Sequence, residues 1–200
     1  MRSHLTLLAL IVLTGCSSNP VPRTYVLSAP ADPIVGVHGE AGRPVLELPT
    51  VSLPDYLDIT DILLRDGRNE LKPSKTGQWG ERLSVGITHA LEASLERRLP
   101  GMLVVHSWLS GQPARRLLVD VGAFDVQPDG RCVLTARWTI PGQDPGTAAV
   151  AERGTFLTMA AAGSKESLTD AAIVSAMEAT VDQLADRIAI SLRRGSARPR

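Results

Sequence analysis

The chain has 200 residues, and its 21 Lys and Arg residues are balanced by 21 Asp and Glu residues, so the formal net charge is zero. A surface this balanced lacks the basic footprint of a nucleic-acid-binding protein, so nucleic acid is excluded as a partner. The length and the apolar fraction of 44% predict one domain with a single hydrophobic core.

The N-terminus is typical of a bacterial lipoprotein signal peptide over residues 1–15. A single arginine precedes an apolar run at positions 5–13, which is too short to span a bilayer. Thr14 and Gly15 then lead directly into Cys16, whereas an ordinary secretory signal would end in an A-x-A-like site. We therefore predict that Cys16 is acylated; an ordinary signal peptide with an incidental cysteine fits the pattern less well.

Residues 16–23 are predicted to form a lipidated tether. Ser17 follows Cys16 where an Asp would retain the protein at the inner membrane, so the outer membrane is favoured. Two or three acyl chains together hold a protein almost permanently. Because the segment from Ser17 to Arg23 reaches at most about 23 Å, we expect the folded body close to the periplasmic face of that membrane. No cofactor is expected beyond the covalent lipid.

Short apolar or β-branched runs bounded by Pro, Gly or Asp predict the first strands. They cover Thr24–Ser28, Pro44–Leu53, Ile62–Arg65 and Met102–Trp108. Residues 29–43 are rich in Pro and Gly and are expected to form a loop. A repeating apolar stripe predicts a long amphipathic helix that opens near Lys75 and stops at Pro100-Gly101. The stripe consists of Trp79, Leu83, Ile87, Leu91, Leu95 and Leu99.

The clearest β pattern runs from Arg115 to Met159. A change in the phase of its alternation predicts a bulge near Gly122, and Pro128-Asp129-Gly130 predicts the turn of a hairpin. The return strand carries Cys132 on its apolar side, where a buried small hydrophobe is favoured over a reactive thiol. With Cys16 acylated, no internal disulfide can form. A third strand from Ala149 completes a meander.

A second helix is predicted after Ser167, which stands three residues before Asp170 in a capping-box-like start, and Gly195 is expected to end it. The strands and helices together predict a single-domain α/β sandwich of the α+β type. In this fold a mostly antiparallel sheet is covered by the two long amphipathic helices. The domain is predicted over residues 24–195, and residues 196–200 are predicted to be a basic disordered tail.

The chain carries no recognisable catalytic motif, so we predict that it is not an enzyme. The patterns G-x-S-x-G, H-E-x-x-H and G-x-x-x-x-G-K-[ST] are all absent. The four histidines have no second ligand-type residue at metal spacing, so no metal site is predicted. Asp55, Asp58 and Asp61 are close together, but the Gly and terminal Glu of a calcium loop are missing, which favours a solvated turn.

Pairs of arginines recur at Arg97-Arg98, Arg115-Arg116 and Arg193-Arg194. They could contact anionic headgroups beside the anchor, but complementing the C-termini of helices is the favoured interpretation. The apolar helix stripes could similarly line a lipid-binding groove, although packing on a sheet is the commoner use.

Several segments, taken in order, carry a family resemblance. Cys16 is followed by Thr24-Tyr25-Val26-Leu27, Leu53-Pro54-Asp55-Tyr56-Leu57-Asp58 and Gln78-Trp79-Gly80-Glu81-Arg82-Leu83, and later by Val119–Asp125, Leu134–Trp138 and the C-terminal helix. In this order they resemble the PqiC-type (YmbA-like) family of ABC-transport auxiliary lipoproteins. The resemblance covers most of the mature chain.

The resemblance implies a non-enzymatic outer-membrane component of an intermembrane transport system. Other parts of such systems include MCE-domain proteins that span the periplasm, and their cargo is thought to be lipid. We therefore expect the chain to dock an MCE-domain partner and so to support envelope integrity. A ring-like homo-oligomer would be compatible with docking onto a hollow partner.

Leu53, Tyr56, Leu57 and Asp58 are predicted to form part of the partner surface, because Tyr56 and Leu57 are an apolar pair between acidic turn residues. The alternative, that Tyr56 simply caps the core, is equally open. Two other functions also stay open. One is a periplasmic carrier of lipid or another small hydrophobic ligand, and the other is an envelope-assembly lipoprotein unrelated to transport.

Overall fold

The computed structural model describes residues 21–27, 43–107, 115–142, 150–159 and 168–196, which form nine strands and two helices. In chain order they are β1 (Arg23–Tyr25), β2 (Val45–Glu47), β3 (Asp61–Arg65), β4 (Leu71–Trp79), α1 (Leu83–Arg98), β5 (Leu103–Val105), β6 (Arg115–Arg116), β7 (Leu118–Val126), β8 (Arg131–Ile140), β9 (Val150–Met159) and α2 (Asp170–Ser196). Cys16 and the predicted signal peptide lie outside these ranges. Neither α1 nor α2 has the length and apolarity needed to cross a membrane.

The strands form two sheets. A six-stranded sheet has the order β1-β4-β3-β7-β8-β9, and a three-stranded sheet has the order β5-β2-β6. Only Leu117 separates β6 from β7, so one stretch of chain passes from the small sheet into the large one. The predicted α+β sandwich with two long helices is confirmed, whereas the division into two sheets has no local signal in the sequence.

The six-stranded sheet is mixed and the three-stranded sheet is parallel, which corrects the prediction of a mostly antiparallel sheet. Among the described strands, four of the seven pairings are parallel: β1–β4, β3–β7, β2–β5 and β2–β6. The antiparallel pairs β3–β4, β7–β8 and β8–β9 include the longest ladders. Each parallel partner comes from a distant part of the chain, so no local turn signal indicates the pairing.

The predicted β7–β8–β9 meander is confirmed, together with its bulge. The β7–β8 register shifts between Val121 and Ala123, which leaves Gly122 unpaired. In the turn, Gly130 has a φ of 83° and donates its N–H to the Gln127 carbonyl at 2.9 Å. A residue with a side chain rarely adopts that φ, so glycine suits this position.

Helix α1 begins at Leu83, so the prediction that it opens near Lys75 is wrong. Residues Leu71–Trp79 instead form β4, which pairs with β1 on one side and with β3 on the other. Trp79 fits a helical stripe, but it is also the buried end of a strand. The two ladders satisfy more backbone groups than an isolated helical turn would, and this decides the conformation.

Helix α2 begins at Asp170, as the acidic first turn predicts. Ser167 lies outside the described residues, and the Thr169 hydroxyl accepts a hydrogen bond from the Ala172 N–H at 3.2 Å, which is N-cap geometry. At its other end the helix reaches Ser196 rather than ending at Gly195.

The two helices run in the same direction over the sheets. α2 contacts β8, β9 and β4, whereas α1 contacts α2 and β5. Ser94 of α1 donates to Asp182 of α2, and Arg98, four residues later, donates to Asp186 at 2.6 Å. The contacts follow the same order along both helices, so the helices are parallel. The core between helices and sheets includes the fully buried Leu46, Leu48, Ile87, Leu91, Leu95, Phe124, Leu134, Trp138 and Ile188.

The long helix defines two ends of the molecule. At the entry end, where the described chain begins, Arg23 is paired with Gly77, and a Cβ on Gly77 would lie 2.6 Å from the Asp170 carboxyl carbon at the start of α2. At the far end, Arg115 donates to the Leu192 carbonyl at 2.8 Å. A helix of 27 residues spans about 40 Å, which sets the distance between these ends.

Candidate functional site

Three of the segments that carry the family resemblance meet in space, and we call this surface the motif junction (residues 24–27, 53–58 and 78–83). The Gly80 N–H donates to the Tyr25 carbonyl at 2.7 Å, which joins the end of β1 to the start of the α1 segment. A Cβ on Gly80 would lie 3.1 Å from Cγ2 of Thr24, so the two chains approach closely. The Trp79 N–H donates to the Thr60 carbonyl at 2.7 Å and brings in the turn that follows residue 53.

Asp58 connects that turn to helix α1. Its carboxylate accepts the Ser84 backbone N–H at 3.0 Å and also accepts the Arg82 guanidinium. Burial alone would raise the pKa of the Asp58 carboxyl, but the hydrogen bonds from Ser84 and the charge of Arg82 outweigh it and lower the pKa. Asp58 therefore caps α1 from a different part of the chain and stays ionised at neutral pH.

The structure assigns different environments to the four predicted interface residues. Leu57 is buried with 2% exposure, and Leu53 is partly buried against the core. Asp58 is engaged at the helix cap. Tyr56 is 46% exposed at the tip of the turn, which Leu57 closes by donating its N–H to the Pro54 carbonyl at 2.9 Å. Within the predicted set, Tyr56 is the side chain that another molecule can reach.

A shallow depression of about 160 Å³ lies in the motif junction beside Tyr25 and Trp79. Its remaining lining residues are Val26, Leu27, Glu81, Arg82, Leu83 and Gly86. Ligand pockets usually enclose about 300–1,000 Å³, whereas the space in this depression is open to solvent and too shallow to enclose a small ligand, so it does not suit a whole lipid. Val26, at its rim, is 50% exposed.

The entry end is the part of the fold that follows the predicted anchor, Cys16, in the chain. The described residues begin at Val21, so residues 17–20 lie between them and Cys16. The Ser74 and Thr76 hydroxyls of β4 donate to the Asp170 carboxylate at 2.7 and 2.6 Å, which ties the start of α2 to the strand that holds β1. The segment that follows the predicted tether is therefore connected, through β1 and β4, to both the sheet and α2.

Comparison with known proteins matches residues 25–189 to the model of a protein family described as the ABC-type transport auxiliary lipoprotein component. The chain belongs to this family. It is 24% identical over 143 residues to the intermembrane transport lipoprotein PqiC of Escherichia coli K12, with 72% of this chain and 76% of that protein covered. PqiC of Shigella flexneri matches to the same extent.

Two solved structures share the fold of this auxiliary lipoprotein. An uncharacterized protein superposes with a TM-score of 0.69 at 18% identity, covering 84% of this chain and 97% of that one. Protein XCC0632 from Xanthomonas campestris gives a TM-score of 0.60 at 14% identity, covering 88% and 97%. At these identities the two structures show the fold alone.

The described part of the auxiliary lipoprotein shows no reactive centre at its cysteine. Cys132 is fully buried, and its sulfur lies 3.9 Å from the Thr180 hydroxyl. Burial raises the pKa of the thiol to about 12, so it is protonated at neutral pH and serves as a small hydrophobe. Within the described ranges, no three His, Cys, Asp or Glu residues are grouped to hold a metal ion.

Two histidines that look scattered in the sequence come together on the surface. The rings of His89 on α1 and His106 after β5 have centroids 6.2 Å apart. Each lies beside a carboxylate: His89 is 3.5 Å from Glu81, and His106 is 3.6 Å from Glu92. Positions 89 and 106 become neighbours only because β5 returns along α1, which no local pattern indicates.

The arginine pairs complement helix ends and helix partners, as the favoured interpretation predicts. Arg98 pairs with Asp182 and Asp186, and Arg193 donates to the Ala189 carbonyl at 3.2 Å. Together with Arg115, these residues lie toward the far end, opposite to the place where the chain enters the fold. This placement gives no support to a role beside the anchor.

Proposed function

We propose that this auxiliary lipoprotein is anchored in the outer membrane through Cys16 and acts as a non-catalytic docking subunit of an MCE/ABC-type intermembrane transport system. Family membership supports the general role of a lipoprotein that assists transport between membranes. The observation that supports the docking role is the motif junction. It joins three motif segments, engages Asp58 at the start of α1, and leaves Tyr56 46% exposed at the tip of its turn.

The anchor limits where docking can take place. Residues 16–20 extend over at most about 18 Å, so acylation of Cys16 would hold the entry end close to the membrane. From there the body reaches up to about 40 Å along α2. A subunit held in this way would meet a periplasm-spanning partner only where that partner approaches the outer membrane, which suits an MCE-domain protein.

Tyr56 is proposed as an anchoring contact for that partner. Aromatic side chains that become fully desolvated in an interface contribute disproportionately to affinity. The exposed Val26 and the Arg82 guanidinium lie on the same surface and would frame the contact. Leu57 and Asp58 would act indirectly, because one fixes the turn to the core and the other fixes it to α1.

In-cell crosslinking tests the docking proposal. Full-length protein carrying Tyr56→Ala is compared with wild type for recovery of an MCE-domain protein, and the captured protein is identified by mass spectrometry. We expect recovery to fall roughly thirtyfold, since a lost hot spot costs on the order of 2 kcal/mol. Ile190→Ala is the matched control, because Ile190 is 38% exposed on α2 toward the far end. Equal recovery from the two variants, at unchanged thermal stability, would contradict the proposal.

The anchor is tested separately with Cys16→Ser. This variant should fold normally, remain unacylated and fail in envelope integrity, because the domain would no longer be held at the membrane. Full function from an unanchored Cys16→Ser protein at wild-type abundance would show that the lipid is not needed.

The alternative of a lipid carrier has less support. Leu46, Ile87, Leu91 and Leu134 are all fully buried between helices and sheets, and the depression at the junction is smaller than a ligand pocket. Native mass spectrometry of the soluble domain after gentle extraction discriminates the two functions. Bound phospholipid would favour the carrier, whereas an empty domain would favour docking.

A further inference from the structure

Strand β9 ends the six-stranded sheet and pairs along its length with β8 alone among the described strands. The β8–β9 ladder runs without a register shift from Ile140 and Val150 to Arg131 and Met159. Long regular edges of this kind are usually blunted in natural proteins, because they can pair with another strand. Among the described residues, Gln183 of α2 covers part of this edge by donating to the Leu157 carbonyl at 3.3 Å.

The β8–β9 register shows which backbone groups face outward. The Gln127 N–H donates to the Arg131 carbonyl at 2.8 Å, so Arg131 and every second residue of β8 face β7, and Leu157, which is paired with Val133, faces away from β8. Backbone groups of alternate residues in a strand point the same way. The N–H and C=O groups of Arg153 and Thr155 therefore also face the open edge, and no described residue bonds them there.

The exposed face beside this edge carries an unusual charge arrangement. Arg137 of β8 and Arg153 of β9 are directly opposite each other, and both are exposed. Like charges in this position destabilise a sheet. Asp120 of β7 lies opposite Arg137 on its other side, but neither guanidinium forms an ion pair within 4 Å or a hydrogen bond within the described residues. Arg153 therefore has a like charge as its neighbour and no acid opposite it.

An apolar contact point lies along the same strand. Leu157 shares the outer face with Arg153 because they are four residues apart on a period of two, and it is 50% exposed. Between them, the Thr155 hydroxyl lies 3.3 Å from that of Thr135. The edge therefore presents, in order, a cation, a small polar residue and an apolar side chain.

We propose that β9 receives an extended acidic segment of a partner protein, which adds to the sheet as a further strand. An Asp or Glu of that segment would lie opposite Arg153 and within reach of Arg137. An apolar residue four positions away would lie opposite Leu157. The backbone edge would provide affinity, and the alternate side chains would provide specificity.

Charge complementarity selects this occupant over two others. A second copy could offer either of its own edge strands, but β1 begins with Arg23 and carries no acid, and the acid of β9, Glu152, is next to Arg153 in the strand and so lies on the other face of the sheet. An anionic lipid headgroup would satisfy the arginines but would make no use of the open backbone edge. The proposal does not depend on docking at Tyr56, so each can fail without the other.

Crosslinking at the edge tests the proposal in full-length, membrane-anchored protein. A photoreactive residue replaces Ala151, which is exposed on β9, and the attached peptide is sequenced by mass spectrometry. We expect a peptide from another protein in which an acidic residue alternates with apolar or β-branched ones. Attachment to a second copy of this chain, attachment to lipid, or no attachment would overturn the proposal.

Two test variants and two control variants make the crosslinking experiment specific. Arg153→Glu should reduce the crosslink yield at least tenfold while the thermal midpoint stays equal or rises, because the like-charge pair is removed. Thr155→Pro removes an outward N–H without breaking the ladder to β8 and should also abolish the crosslink. Arg153→Lys should retain most of the yield, and Arg187→Glu, at an exposed arginine on α2, should not change it. Unchanged yield in both Arg153→Glu and Thr155→Pro would overturn strand addition.

Discussion

The entry end and the exposed face of β8 and β9 use polar side chains in opposite ways. At the entry end, Asp58 accepts from Ser84 at 3.0 Å, and Asp170 accepts from two hydroxyls of β4. On the exposed face, Arg137 and Arg153 lie opposite each other, and neither forms an ion pair or a side-chain hydrogen bond among the described residues. A charge whose partners lie inside the fold stabilises it, whereas an unpartnered charge is available to another molecule.

This difference separates structural from functional substitutions. Changes at the entry end should lower the free energy of unfolding, because they remove hydrogen bonds that hold α1 and α2 to the sheet. Changes on the exposed face should leave stability equal or higher and should alter binding instead. A substitution at the entry end that leaves stability unchanged, or one on the exposed face that lowers it, would show that polar side chains have the same role in both regions.

The largest effect is expected from Gly77→Ala. Its Cβ would lie 2.6 Å from the Asp170 carboxyl carbon and 2.8 Å from one carboxylate oxygen, so the start of α2 must move. We expect the free energy of unfolding, measured with urea, to fall by about 3 kcal/mol, at the upper end of overpacking effects. In an Asp170→Ala background the same change should cost less, since the carboxylate is gone.

Gly101→Ala provides the control for this prediction. No atom lies within 4 Å of a Cβ at Gly101, so the change should stay within about 0.5 kcal/mol of wild type. If Gly77→Ala unfolded at the same urea concentration as Gly101→Ala, the close contact between β4 and α2 would not be important for stability.

A smaller effect is expected from Asp58→Ala. The substitution leaves the Ser84 N–H without its acceptor and should lower the free energy of unfolding by about 1–2 kcal/mol, the usual cost of losing a helix cap. Asp55→Ala is the matched control, because Asp55 is exposed in the same turn and bonds no described residue. Equal losses from the two variants would mean that the cap at Asp58 contributes nothing specific.

The sequence is sufficient to predict those parts of the fold that have local signals. The alternation along β7 and β8, the turn at Gly130 and the bulge at Gly122 are all visible in a few consecutive residues, and all are confirmed. Helix α2 is equally well marked by its apolar spacing and by Asp170. Its hydroxyl partners on β4 are distant in the chain, so the role of Asp170 in joining helix to sheet is not visible.

The prediction is wrong where tertiary pairing decides the structure. Trp79 fits a helical stripe, yet two sheet neighbours make it the end of a strand. At the candidate site, the motif order identifies the relevant segments but not which side chains face outward. Leu57 and Tyr56 are adjacent in the sequence, and only the packed structure shows that one is buried and the other is exposed.

The cap at Asp58 should also give a measurable pH dependence. Burial would raise the pKa of Asp58, but Ser84 and Arg82 lower it below its ordinary value of 3.8. A lowered folded pKa gives stabilisation that is complete above the ordinary value and is lost as the pH falls through the folded one. The difference in unfolding free energy between wild type and Asp58→Asn should therefore be constant near neutral pH and shrink below pH 3.8. A difference that grew on acidification would contradict the assignment.

The smallest effect, and the one that most sharpens the comparison, is expected on the exposed face. Arg153→Thr should raise the free energy of unfolding by roughly 0.2–0.5 kcal/mol, because it removes repulsion from Arg137 and places a β-branched residue in a strand. Arg137→Thr should gain less, because Asp120 of β7 lies opposite Arg137 and its attraction is lost as well. The double variant should gain less than the sum of the two, since one repulsion can be removed only once. The gain from Arg153→Thr should shrink in 1 M salt, which screens exposed charges. A loss of stability in Arg153→Thr would instead mean that this arginine supports the fold, and the exposed face would then resemble the entry end.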